Sequence, residues 1–317
     1  MLKPLSILVV ALVAGSVAAA AALAPRASAR SGSSSLTEVN VATEDQRAAP
    51  VSDCSAPEFV QAASRNSASL QSLTWSPFGR AEKGWAIYQE HVAHDLDTSC
   101  QPGSPGFAAA LARWQQDHRL PANGEATAQT LVVFKTRWQD ARPYVALRAS
   151  GVCPDAPPES MLTTLNAREG YKGKSIQWKN DVAGAYRRMV TVARAEVPEL
   201  AADPEMLSIF SGYRSPAYDA ARCARDHNCG GAERATCSVH RTATAFDLVV
   251  GSAPGFPVDS SADANRLFQS RTPAYRWLVA NAGRFGFINY AFEPWHWEWV
   301  GEPARNGQIA TIEVGAR

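Results

Sequence analysis

Two stretches decide how this chain is read: Ser238-Val239-His240-Arg241-Thr242-Ala243-Thr244-Ala245-Phe246-Asp247 and Glu293-Pro294-Trp295-His296-Trp297-Glu298-Trp299-Val300. Side chains seven apart on an unbroken strand point to opposite faces, so His240 and Asp247 do not share one regular strand. A turn around Arg241 to Ala243 brings His240 back over the strand that carries Asp247. Glu293 and His296 have the same parity mismatch. Pro294 cannot donate to a sheet ladder and is the natural place for a bend. Trp295, Trp297 and Trp299 alternate like one packing face of a strand. His, Asp and Glu are also the donor types of a catalytic zinc site, which uses three protein ligands and leaves one position open.

Around these stretches the pattern is mixed. A helix opens at Asp181, with Val182, Tyr186, Val190 and Val197 on one face, and stops at Pro198. Short β-branched or aromatic runs follow at 243–250, 285–291 and 295–300, alternating with helical stretches at 217–226 and 274–284. Short strands and helices without a regular βαβ repeat predict an α+β fold over 161–310.

Ser-x-His-x-x-Gly-x-Ala-x-Asp followed by Glu-x-x-His is the signature of the zinc D-alanyl-D-alanine carboxypeptidases of the vancomycin-resistance type, and the two stretches resemble it. Ser211-Gly212-Tyr213-Arg214-Ser215 and Trp295 to Gly301 are similar to the same family, so the resemblance spans about 180–302. Ala243 stands where that family has Gly, and Asp219 where a Gln often follows the Tyr-Arg-Ser motif. The resemblance implies a Hedgehog-like catalytic domain with a small antiparallel sheet flanked by helices. It also implies one Zn2+ held by His240, Asp247 and His296, with Glu293 as the catalytic carboxylate and Arg214 facing the substrate. Tyr213, Ser215 and Ser238 are candidate substrate contacts. An αL backbone at position 243 would penalise Ala.

The first half reads as helical. Trp85, Tyr88, Val92 and Leu96 share a face, as do Phe107, Leu111 and Trp114, and Thr127 can cap a helix bearing Leu131, Phe134 and Trp138. The run from Phe107 to Leu120, with Asn123-Gly124 and Thr127 to Leu131, resembles the small peptidoglycan-binding module of cell-wall hydrolases. That implies a three-helix domain at 71–141 and contact with peptidoglycan. The Ser-, Ala- and Thr-rich residues 30–70 read as a flexible tether, and the Pro-rich 142–160 as an interdomain linker.

Residues 1–29 combine Lys3, an apolar run from Leu5 to Leu23 and the small-residue triplet Ala27-Ser28-Ala29. This predicts export, through a cleaved signal or an uncleaved anchor, to the periplasm, the envelope or the medium. Six cysteines, Cys54, Cys100, Cys153, Cys223, Cys229 and Cys237, then become disulfide candidates. Cys54 with Cys100 and a local bridge within 223–237 are the plausible pairings. A formal charge of +1 gives no overall pull toward nucleic acid, and a membrane enters only through the N-terminal anchor. Arg222, Arg225, Arg234 and Arg241 read as a solvated loop surface, and His91, His94, His118 and His227 as ordinary polar groups.

The expected partners are therefore peptidoglycan stem peptides and glycan. The expected activity is release of terminal D-Ala, with water activated by zinc and its proton accepted by Glu293. The alternatives are an endopeptidase that cuts between L-Ala and D-Glu or within cross-links, and a non-catalytic wall-binding protein.

Overall fold

A computed structural model describes residues 54–149, 151, 153–227 and 238–301. The expected export segment, the tether as far as residue 53, Cys229, Arg234 and Cys237 lie outside the described residues. Among the described residues, no helix is long and apolar enough to cross a membrane.

The first part is helical. It comprises α1 (Val60–Ser72), a two-stranded hairpin β1 (Thr74–Trp75) and β2 (Glu82–Lys83), then α2 (Gln89–Asp95), α3 (Pro105–Asp117), α4 (Ala128–Asp140) and α5 (Pro143–Ala149). Polar caps start α3 and α4: Ser104 Oγ accepts from the Phe107 amide, and Thr127 Oγ1, the predicted cap, from that of Thr130. Trp85, Tyr88, Val92, Phe107, Leu111, Leu131 and Phe134 form one buried core.

Two segments depart from expectation. The sequence reads as tether as far as residue 70, yet 60–72 is helix α1. Its buried face is small, with Ala62 and Ala63 packed on Ala108 and Phe59, so it lacks the large apolar stripe that periodicity detects. Buried Asn66 fastens it, donating to the Gly124 carbonyl at 2.8 Å and accepting from the Ala126 amide at 2.7 Å. The sequence reads as linker over 142–160, yet Pro143 opens helix α5 from its favoured first-turn position.

The second part opens with a hairpin of β3 (Leu162–Thr164) and β4 (Gln177–Lys179), then α6 (Asn180–Glu196) and α7 (Pro198–Ala202). There follow β5 (Ile209–Ser211), α8 (Pro216–Arg225), β6 (Ala245–Leu248), α9 (Asp263–Gln269), α10 (Pro273–Asn281), β7 (Phe287–Asn289) and β8 (His296–Trp299). Four strands form an antiparallel sheet in the order β5-β6-β8-β7. With the two small hairpins and the helices, this makes the chain α+β. Phe246 and Trp297 lie opposite each other and turn into the core beside Trp178, Tyr186 and Phe287. Trp295 is buried there too, and Trp299 packs against the same core.

The two parts share a buried seam. Arg266 of α9, fully buried, donates to Glu82 Oε1 at 3.0 Å, to the Tyr88 hydroxyl at 2.6 Å and to the Phe292 carbonyl at 2.7 Å. Ala291 and Leu267 join the helical core. His91 of α2 contacts Asn289 Oδ1 through Nε2 at 2.9 Å and packs on Trp138 and Tyr275.

Cys54 and Cys100 are bonded, tying the chain ahead of α1 to the loop before α3. Cys153 and Cys223 each take part in a disulfide as well. The Cys54–Cys100 bridge closes a separation of 46 residues. In the chain-entropy account a loop of that length stabilises by about 4 kcal/mol as an upper value. We expect Cys54→Ser to lower the free energy of urea unfolding by roughly 2–4 kcal/mol, with a steeper slope because the unfolded chain is no longer held compact.

Burial holds the His91 imidazole below its ordinary value of 6.5. A depressed histidine contributes stability that is present above the unfolded value and lost as pH falls below it toward the folded one. Metal-free protein should therefore lose more stability between pH 7.5 and pH 5 than its His91→Gln variant does. Equal losses in paired urea titrations would show that His91 does not charge on unfolding.

Candidate metal centre

The register of β6 on β8 places Asp247 directly opposite His296. Opposed residues of an antiparallel pair share a face, so both side chains leave the sheet on the side away from Phe246 and Trp297. His240 arrives by the expected turn. Val239–Thr242 is one turn of 3-10 helix started by Ser238, whose Oγ accepts from the His240 amide, and it ends at Ala243. Ala243 is fully buried with φ 56° and ψ 23°, the left-handed conformation that the Gly of the resembled motif would suit. A non-glycine residue there stores about 1–2 kcal/mol of steric strain.

Three donor atoms converge: His240 Nε2, His296 Nδ1 and Asp247 Oδ1. They stand 3.3 Å (His240 to His296), 3.4 Å (His240 to Asp247) and 2.9 Å (His296 to Asp247) apart. Ligands ~2.0–2.2 Å from a tetrahedral zinc are separated by ~3.3–3.6 Å, so the donor set fits such an ion with a small spreading of one pair. Among the described residues this is the group able to hold a metal.

The remaining ring atoms fix which nitrogen faces the centre. His240 Nδ1 lies 2.7 Å from the Gly212 carbonyl, which can only accept, so Nδ1 carries the proton and Nε2 presents its lone pair. Gly212 is required for this approach, because a Cβ there would meet Ile176 Cγ2 at 2.5 Å and the Gln177 carbonyl at 2.9 Å. His296 Nε2 lies 3.2 Å from Glu298 Oε1 and donates to it, which directs Nδ1 inward. A histidine ligand whose second nitrogen donates to a carboxylate or a carbonyl is the usual arrangement at metal sites.

Without a cation the three groups settle their charge by protons. Burial, with the Arg214 charge, pushes His240 down to about 4. Burial would lower His296 as well, but the hydrogen bonds it donates to Asp247 and Glu298 prevail and raise it to about 9. Burial opposes the charge on Asp247, yet the two imidazoles hold its carboxyl well below the usual range. Glu298 is likewise drawn down to about 2, against its burial, by His296 and Arg142. A cation at the centre would take the place of the proton on His296 Nδ1.

The centre lies in the wall of a cavity of about 1450 Å³. Glu293 lines it, partly exposed, on the turn where its carbonyl accepts from the His296 amide at 2.9 Å, the bend expected at Pro294. Burial raises the Glu293 carboxyl above the ordinary carboxylate value. Arg214 also lines the cavity, with Nη2 3.6 Å from Asp247 Oδ2, and its buried Nε has no hydrogen-bond partner among the described residues. Asp219 is buried in the same wall, its carboxyl raised by burial against the pull of Arg214 and Arg241.

Of the other candidates, Ser238 lines the cavity. Ser215 caps α8, its hydroxyl accepting from the Tyr218 amide at 3.1 Å. Tyr213 packs against the main core. Arg222 and Arg225, read from sequence as loop surface, line the cavity. Glu298 and Arg142 were missed as site residues. The signal for Glu298 was its spacing of two from His296 on a strand, which puts both on one face.

No family model matches this sequence, and a search of curated proteins found no match. Among solved structures, the chain matches the vancomycin-resistance D,D-pentapeptidase VanY from a VanB-type cassette, a glutamate-to-alanine mutant in complex with Zn(II). The match covers 46% of this chain and 83% of that one, at 19% identity and a TM-score of 0.27. At that distance the likeness carries no functional argument, and function is read from the side chains.

We expect the folded protein to bind one zinc ion per chain in a chelator competition. His240→Ala should weaken that binding at least tenfold through loss of a direct ligand. Wild-type affinity in this variant would remove His240 from the ligand set.

Proposed function

We propose that this protein is an exported zinc metallopeptidase of the Hedgehog-like D,D-peptidase fold. Its reaction is release of the terminal D-Ala from peptidoglycan stem peptides, and its first helical part contributes to holding the wall. The observation that carries this reading is the convergence of two imidazoles and one carboxylate beside the raised carboxyl of Glu293, within one cavity. The stem-peptide substrate rests on the resemblance of the Ser238–Asp247, Glu293–His296 and Ser211–Ser215 motifs. The export segment and the Cys54–Cys100 bridge support an oxidising compartment.

Zinc bound there supplies Lewis-acid polarisation of the scissile carbonyl and an acidified water. The chain's own groups do the rest. Glu293 is the base: its raised carboxyl is better matched to accepting a proton near neutral pH than an ordinary glutamate, and it returns that proton to the departing amine. Arg214, lining the cavity beside Asp247, brings its guanidinium charge toward the oxygen on which charge develops. His240, His296 and Asp247 are held by Gly212, Glu298 and the sheet, so little reorganisation is needed as the reaction proceeds.

A second reading follows from the cavity. At about 1450 Å³ it exceeds the ~300–1000 Å³ of an ordinary small-ligand pocket, and residues of both parts line it. That room suits a longer peptide, as an endopeptidase would hold.

The deciding experiment incubates zinc-loaded protein with a stem pentapeptide and, separately, with cross-linked muropeptides. D-Ala release by wild type, with Glu293→Gln retaining zinc but losing about 10²–10⁴-fold in kcat, is the expected result. Internal cleavage without D-Ala release would replace the carboxypeptidase by the endopeptidase. Cleavage of neither would leave wall binding as the function.

A further inference from the structure

Arg142 stands between α4 and α5, in the part of the chain that supplies none of the three metal-binding side chains. It is nonetheless buried, and all its guanidinium nitrogens are engaged. Nε donates to Glu298 Oε1 at 2.9 Å, Nη2 makes a shorter bond to the same oxygen, and Nη1 donates to Gln139 Oε1 at 3.1 Å. The plane lies over the Tyr290 ring, 4.1 Å from its centre. Glu298 Oε1 is also the atom that receives His296 Nε2. One carboxylate oxygen thus connects a guanidinium from the helical part to a metal-facing imidazole from the sheet.

We infer that Arg142 is a positioning residue of the metal centre: it fixes the Glu298 carboxylate, which in turn fixes the ring of His296 with Nδ1 facing the other two donors. This rests on reading His240, Asp247 and His296 as a zinc site. A buried carboxylate free to rotate would let the imidazole swing, whereas the Arg fork, clamped between Gln139 and Tyr290, holds it in one place. A lysine carries the charge but has no planar fork, so it cannot serve Glu298 and Gln139 together in the same geometry. Outer partners of metal-bound histidines act mainly on metal affinity.

The test measures zinc affinity by chelator competition, with the visible spectrum of the cobalt-substituted protein as a reporter of ligand geometry. The variants are Arg142→Gln, Arg142→Lys, Glu298→Gln and Arg142→Gln with Glu298→Gln. Arg142→Gln and Glu298→Gln should each weaken zinc binding about 10- to 100-fold and shift the cobalt bands. Arg142→Lys should fall between wild type and Arg142→Gln. The double variant should bind no worse than the weaker single, because both substitutions break the same chain of contacts. Arg276→Gln, which removes the seam contact from Arg276 to Glu90 without touching Glu298, should leave zinc binding unchanged.

Wild-type affinity in Arg142→Gln, multiplied losses in the double variant, or an equal loss in Arg276→Gln would each overturn the inference. If Arg142→Gln does not fold, Arg142→Lys and the double variant decide on the same measurements. Failure of the wild type to bind zinc would instead defeat the reading of the site itself.

Discussion

The pairing of β6 with β8 is the constraint on which the rest of the site depends. Asp247 opposite His296 brings a carboxylate and an imidazole within 2.9 Å before any loop contributes. The same register puts Phe246 opposite Trp297 on the other face, inside the aromatic core. A slip of β8 by one residue would send Trp297 into the cavity and His296 into the core, so burial of Phe246 and Trp297 specifies the candidate metal centre as strongly as any contact within it. The core selects the register, and the register makes the site.

Polar seams between the two parts carry the next level of organisation. Arg266 with Glu82 and Tyr88, and Arg142 with Glu298, are buried pairs, and charge buried this way adds little net stability compared with apolar packing. What these pairs contribute is definition. A guanidinium without its carboxylate inside the protein is strongly unfavourable, so the helical part has one acceptable seat on the sheet. The described residues from 54 to 301 accordingly form one unit.

The legibility of the sequence followed the physics of each signal. Large apolar side chains at helical spacing marked α3, α4 and α6, and the parity mismatch between His240 and Asp247 required the turn that Val239 to Ala243 makes. Helix α1 escaped because its buried face is alanine and asparagine, which periodicity in large residues does not register. Arg142 escaped because its partner lies 156 residues away and nothing local distinguishes it from any arginine beside a proline. The alternation of tryptophans in β8 was legible, and so was His296, but Glu298 on the same face as His296 was not read as part of the site.

Those long separations also set an order of assembly. Glu82, Tyr88 and Arg142 leave the ribosome long before Arg266 and Glu298, their partners lying 156 to 184 residues further along. Until then the helical part has an unfilled polar seat, and the four-stranded sheet lacks β7 and β8. The three donors first meet when β8 is laid down, close to the end of the described chain. A nascent polypeptide that has not yet reached β8 thus carries His240 and Asp247 without the third donor.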